Sequence, residues 1–447
     1  VIKKRLPEWI LVIAILGATV IIINNLWFIQ RDIIPAKKTD KAVEISIAWW
    51  GSQIRNERTQ AVLDMYEKNN PEISFQKTIG EKQDYWNLLS LAAAGHQLPD
   101  LMQTDGYSLD KFVENDLLLD LTPYIEDGSL ETGDIDPTVL NWGSVKGRIY
   151  GICAGINAPA LLYNKMMLDS YNIVVEDRMD LKAFGDLCEQ IYEKTRYKTN
   201  LAYRDSYAFL NYVLRGRGLS LFQGEQLGVY SSQDFQPFFE LYERGAKEGW
   251  LIEPSIFAQR TIGVVEQDPL IMGTGPSNMS WCGFYYSNQL IAAKESMGRG
   301  YQIGIASWPA DSLELANYVQ AEQFYSISAY SENKEDAIKV INYFINDDSC
   351  NQILLDERGI PISAEMAELV KQDASEVSWQ IYNYIEKVIL PESSVIVFKK
   401  PSNAKAVYDL IDQLQDRIYN GEITAKEASE ALFIQGDALL QRRYSVQ

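Results

Sequence analysis

The stretch Gly147 to Leu168, GRIYGICAGINAPALLYNKMML, packs a turn, a buried strand and a helix start into one unit. Gly147 and Gly151 bracket an aromatic turn, and Ala160 to Tyr163 is a short apolar run of the kind that forms a buried strand. Asn164 fits the N-cap of a following helix. Asn157 is the odd residue, a polar side chain just ahead of an apolar run. There a chain crossing between two lobes would offer a hydrogen bond to a ligand.

Other segments agree with that reading. Ile45 to Gly51 reads ISIAWWG, an alternating run that ends in two tryptophans and a glycine, and a polar helix signal follows from Asn56 to Asn69. Asp84 to Ile125, DYWNLLSLAAAGHQLPDLMQTDGYSLDKFVENDLLLDLTPYI, gives an amphipathic helix, a Gly and Pro break, a short strand and a second helix. Later come YSISAYSENKEDAIKVINYFINDD (Tyr325 to Asp348), RGIPIS (Arg358 to Ser363) and NGEITAKEASEAL (Asn420 to Leu432). Together these segments resemble the extracellular solute-binding proteins of ABC importers, in the carbohydrate-binding family 1 that includes maltose-binding-protein-like members. The resemblance spans roughly residues 43 to 440. Cys153 departs from it, since the family usually has proline there.

The resemblance implies an α/β, periplasmic-binding-protein-like fold, with two α/β lobes joined by a hinge around a ligand cleft. Residues 43–153 with about 325–365 would form lobe I, and about 158–318 with about 366–447 lobe II. Size alone points the same way, because 447 residues exceed what one core usually serves. The formal charge of −20 repels phosphate backbones and anionic headgroups, so nucleic acid is a poor partner. The plainer meaning of that charge is solubility.

From Trp9 to Ile29 there are 21 uncharged residues, enough to cross a bilayer core at ~1.5 Å per residue. Lys3, Lys4 and Arg5 before this run also fit a signal peptide, but Leu26, Trp27 and Phe28 are too large for a good cleavage site. The expectation is one N-terminal transmembrane helix within residues 1–31, a linker over 32–42, and a protein held at the extracytoplasmic face of the membrane. Cys153, Cys188, Cys282 and Cys350 contain no CxxC and allow either two disulfides or buried thiols. The single histidine, His96, lies in a Gly-His-Gln break, so no zinc site is expected, and no cofactor.

Sugars present hydroxyl edges and apolar C–H faces, so their sites combine aromatic plates with carboxylates and amides. The chain has 10 Trp and 26 Tyr. Trp50, at the end of the first strand, is expected to stack on a ligand, while its neighbour Trp49 points the other way into the core. Asp105 and Tyr107 follow a strand where open α/β sheets bind ligands, although Asp105 equally suits a helix cap. Asn157 and Trp281 join the set on positions the resemblance implies. Tyr285, Tyr325, Arg358 and Tyr408 complete it.

No sequence feature selects a catalytic pair. There is no GxSxG, and Gly273-Thr274-Gly275-Pro276 lacks the lysine and context of a phosphate loop. What the resemblance implies is a solute-binding protein, not an enzyme, that closes on a mono- or oligosaccharide and hands it to an ABC permease. Two alternatives stay open: a ligand-loaded sensor for a membrane histidine kinase, and a surface glycosidase.

Overall fold

Strand β1, Val43–Trp50, shows how local alternation builds the first layer. Ile45, Ile47 and Trp49 enter one hydrophobic cluster, while Ala48 and Trp50 enter another on the opposite face, as the two-residue period requires. The structure is a computed structural model that describes residues 43–298, 300–394, 401 and 403–441, the side chain of Tyr107 excepted. The expected anchor and linker lie outside the described residues. Among the described residues no helix is long and apolar enough to cross a membrane.

From β1 the chain turns at Ser52, whose Oγ accepts from the Arg55 backbone N–H at 3.3 Å and caps helix α1, Gln53–Asn69. Strand β2, Ile73–Gly80, returns parallel to β1, with Val43 opposite Ile73 and Trp50 opposite Gly80. Helix α2, Lys82–Ala94, leads to β3, Leu101–Thr104, parallel to β1 on its other side. Helix α3, Gly106–Glu114, starts directly from the end of β3. These parallel βαβ crossovers bring the C-terminal ends of β1 and β3 side by side.

Three short strands then carry the chain out of this sheet: β4, Ile152–Cys153, β5, Ile156–Asn157, and β6, Pro159–Asn164. Around β6 a second sheet forms with β7, Cys282–Tyr286, and β8, Ile303–Ala306, both antiparallel to it. Its helical layer includes α4, Leu181–Thr195, α5, Tyr207–Arg215, α6, Gln236–Glu248, and α7, Gln289–Met297. The chain comes back through β9, Gln320–Ala321, which pairs antiparallel with β5, and β10, Phe324–Ile327. Strand β10 lies antiparallel between β3 and β4, so the first sheet has the order β2-β1-β3-β10-β4. Helix α8, Lys334–Asn346, covers that sheet through Ile338, Ile341 and Phe344.

A third crossing follows, where Ile360 bridges Ile156. Two glycines permit the close approach of these strands. A Cβ on Gly155 would lie 2.2 Å from the Arg358 carbonyl oxygen, and one on Gly359, whose φ is +92°, would lie 2.4 Å from that of Ile156. Beyond it, α9, Ala404–Tyr419, and α10, Ala425–Leu440, pack with α6 on the second lobe, feeding Val407, Ile411 and Leu432 into the cluster that holds Phe184, Phe209 and Trp281. Cys153, Cys188, Cys282 and Cys350 are all free and buried, so the disulfide alternative does not hold. His96 is exposed in a left-handed turn against Tyr330, 4.6 Å between ring centres.

Candidate functional site

Lobe I offers the paired strand ends. Trp50 is 8% exposed and leans on Tyr85 and Trp86, with ring centres 5.0 and 5.3 Å away. Its carbonyl accepts from Gln103 Nε2 at 3.0 Å, which ties the end of β1 to β3. Trp49 faces the other way, and its indole donates to Asn56 Oδ1 at 3.0 Å inside the lobe. Asp105 is partly exposed and closes a capping box on α3, where Oδ1 accepts from the Ser108 N–H at 2.8 Å. It therefore caps a helix and also stands at the strand ends, where open α/β sheets bind ligands. Tyr107 belongs to the first turn of α3, and its side chain lies outside the described residues.

Lobe II answers with tyrosines. Tyr285 and Tyr286 are adjacent in β7 and so face opposite ways. Tyr285 goes inward, while Tyr286 is partly exposed, its ring centre 5.9 Å from that of Trp308. Tyr207, in the first turn of α5, stacks on Tyr408 of α9 at 3.9 Å and 19°. The Tyr207 phenol is pushed well above its ordinary range by the charge of Asp205, by burial, and by Tyr408, Tyr318 and Asp105. Asp105 belongs to the other lobe. Arg215 sits over the Tyr318 ring at 5.1 Å and bonds the Ser394 hydroxyl at 2.6 Å, and burial lowers its pKa.

Lobe II thus offers the partly exposed Tyr207, Tyr286 and Tyr408 and the exposed Asp205, and lobe I the partly exposed Asp105. Carboxylates accept hydroxyl hydrogens, and aromatic faces take sugar C–H surfaces.

Six of the expected ligand residues, Trp50 among them, are covered by the protein itself. Trp281 is 0% exposed, packs 6.0 Å from Phe184 and donates its indole N–H to Thr199 Oγ1 at 2.8 Å, so it is a core residue. Tyr285 is buried beside Asp268, with its hydroxyl short of a well-formed hydrogen bond. Tyr325 stacks on Phe344 at 4.9 Å within lobe I. Arg358 is 3% exposed and donates to Gln103 Oε1 at 2.6 Å, Gln323 Oε1 at 3.2 Å and Thr59 Oγ1 at 2.7 Å. Asn157 is 0% exposed and bonds Glu322 and Asn288 at the crossing. Asp105 and Tyr408 keep partial exposure, whereas Trp50, expected to stack on a ligand, is buried in the lobe I cluster with Tyr85 and Leu89. The sequence did not single out Tyr207 or Tyr286, although strand parity distinguishes Tyr286 from Tyr285, and Tyr207 stands at a helix start as Asp105 does.

Residues 61–380 match the family described as bacterial extracellular solute-binding protein. The chain belongs to that family. This solute-binding protein is similar in structure to a periplasmic solute binding protein of Pectobacterium atrosepticum, at 20% identity and TM-score 0.76 over 90% of this chain and 99% of that one. A periplasmic oligogalacturonide binding protein of Yersinia enterocolitica, in complex with saturated digalacturonic acid, aligns at 19% identity and TM-score 0.75 over 89% and 99%. The GacH receptor of Streptomyces glaucescens, solved unliganded and with acarbose, aligns at 17% and 0.70 over 89% and 98%. At such identities the likeness establishes the periplasmic-binding-protein-like α/β fold. Membership of an extracellular family places the solute-binding protein outside the cytoplasm.

Proposed function

We propose that the protein captures a mono- or oligosaccharide by closing its lobes and delivers it to an ABC importer permease, tethered to the membrane by residues 1–31. One observation carries the reading: residues 61–380 match an extracellular solute-binding family, and lobe II presents the partly exposed, stacked Tyr207–Tyr408 pair. A ligand held by both faces favours the closed state by its differential affinity. Asp105 and Asp205 flank the tyrosines with negative charge, which favours an uncharged sugar over a uronate.

A thermal-shift screen of the full chain against a carbohydrate library tests this, with each hit's sugar checked afterwards by chromatography. A saturable rise in melting temperature with an uncharged sugar recovered intact supports the reading. A cleaved sugar moves the protein to the glycosidases, and a screen without hits overturns the carbohydrate assignment.

A further inference from the structure

The three crossings meet in a buried polar network beneath the cleft. Arg55, on α1 of lobe I and 5% exposed, donates from Nε to the two Glu357 oxygens at 2.9 and 3.0 Å, and from Nη2 to Glu322 Oε1 at 3.0 Å. Glu322 Oε2 accepts from Asn157 Nδ2, which also donates to Asn288 Oδ1 at 3.2 Å. Asn288 Nδ2 in turn donates to the Glu357 carbonyl at 3.3 Å. The bonds thus run from lobe I through one residue of each crossing, Glu357, Glu322 and Asn157, into lobe II at Asn288.

Asn288 occupies the N-cap of α7, a position its residue type suits, yet its side chain makes no capping hydrogen bond. Both ends of its amide go to the crossing segments instead, Oδ1 to Asn157 and Nδ2 to the Glu357 carbonyl. The two ends of the network also differ in strength. Lobe I is held by charge-assisted bonds, whereas at lobe II the Asn157–Asn288 bond extends the ladder in which the Ser287 N–H donates to the Ala158 carbonyl at 2.8 Å. That leaves the long 3.3 Å bond from Asn288 Nδ2 to the Glu357 carbonyl as the weaker, neutral tie. Rotation of lobe II about the crossings breaks the neutral end first.

We propose that Asn288 is the releasable end of a latch, anchored at Arg55, that sets how often the lobes open and holds them as they lie here. The proposal rests on the hinge motion of the functional reading and is independent of which solute fills the cleft. It also gives Asn157 a role in hinge mechanics without contact to the ligand.

The test is single-molecule energy transfer in the full chain without solute, using dyes on two introduced cysteines, one per lobe; the native thiols are buried. Asn288→Ala should raise the ratio of open to closed molecules roughly threefold to tenfold, the range expected for losing neutral hydrogen bonds. Asn157→Ala should shift it the same way, and the double variant should shift it by less than the sum, because the two residues share a bond. Should Asn288→Ala fail to fold, Asn288→Ser removes the same amide and carries the test. Unchanged lobe distances in the Asn288 variant, or strictly additive effects in the double variant, would overturn the latch. A carbohydrate screen without hits leaves this measurement intact, so the two ideas fail separately.

Discussion

Two buried polar clusters inside this protein differ in charge balance. At the crossings, Arg55 faces Glu322 and Glu357, with side chains 6%, 15% and 7% exposed, so the buried charges compensate one another. Behind β7, the half-buried Asp268 is held mainly by neutral groups: the Leu270 N–H donates to Oδ1 at 2.8 Å and Asn200 Nδ2 to Oδ2 at 3.2 Å. Burial raises its carboxyl from 3.8 to about 6, against the lowering effect of these bonds, the Tyr285 hydroxyl and the charge of Arg260. Burying a charge is costly unless a partner supports it. The first cluster should therefore resist change to any one member, while the second should gain when its charge is removed.

Arg55→Met makes the largest break in that comparison. It leaves two carboxylates without their cation and should cost about 3–5 kcal/mol, the range for removing one partner of a buried pair. Urea unfolding at pH 7 measures it, and a loss under about 1 kcal/mol would mean that water already screens the site.

Asp268→Asn should act in the opposite direction. The folded carboxyl titrates above its unfolded value, so between pH 4 and 6 the native state holds more protons, and the Asp268 contribution to stability falls as pH rises through that window. Below it the penalty is absent. Above it the penalty is complete, at most about 3 kcal/mol by ~1.36 kcal/mol per pH unit and less for a group that keeps some solvent contact. The variant should gain on the parent protein from pH 4 to 6 and hold a constant lead beyond. A difference independent of pH would assign the shift to other carboxylates. Gly359→Ala tests the crossing without touching charge. Its φ of +92° and the 2.4 Å approach to the Ile156 carbonyl should together cost about 1–3 kcal/mol in the same unfolding assay.

The lobes were legible because their signals are local and repeated. Alternation in ISIAWWG, the cap before α3 and the strand and helix start of ALLYNK each fix an element from a few residues, and family resemblance joins them. The cleft was less legible, since polarity says that a residue needs a partner and not whether that partner is solute or protein. Asn157 and Arg358 are polar because they bind carboxylate, amide and hydroxyl groups brought from as far as Thr59 and Asn288. Nothing near them in sequence announces those partners. Trp281 reads as a sugar plate until Thr199 is seen to hold its indole N–H.

Tyr285 and Tyr286 make the finest test, because one residue of offset separates core from cleft. Tyr286 stands with Trp308 on the side that carries Tyr207 and Tyr318, whereas Tyr285 packs with Leu290, Ile291 and Ile385 and reaches Asp268. Tyr286→Ala should weaken sugar binding by about twofold to tenfold, in line with an aromatic contact of ~0.5–1.5 kcal/mol. Tyr285→Phe should leave affinity unchanged and alter stability by less than about 1 kcal/mol, since it removes only a poorly bonded hydroxyl. Calorimetric titration with the best sugar of the thermal screen reads the first effect, and urea unfolding the second. If Tyr285→Phe is the variant that loses affinity, the solute enters behind β7 and the cleft face drawn from Tyr207, Tyr286 and Tyr408 is wrong.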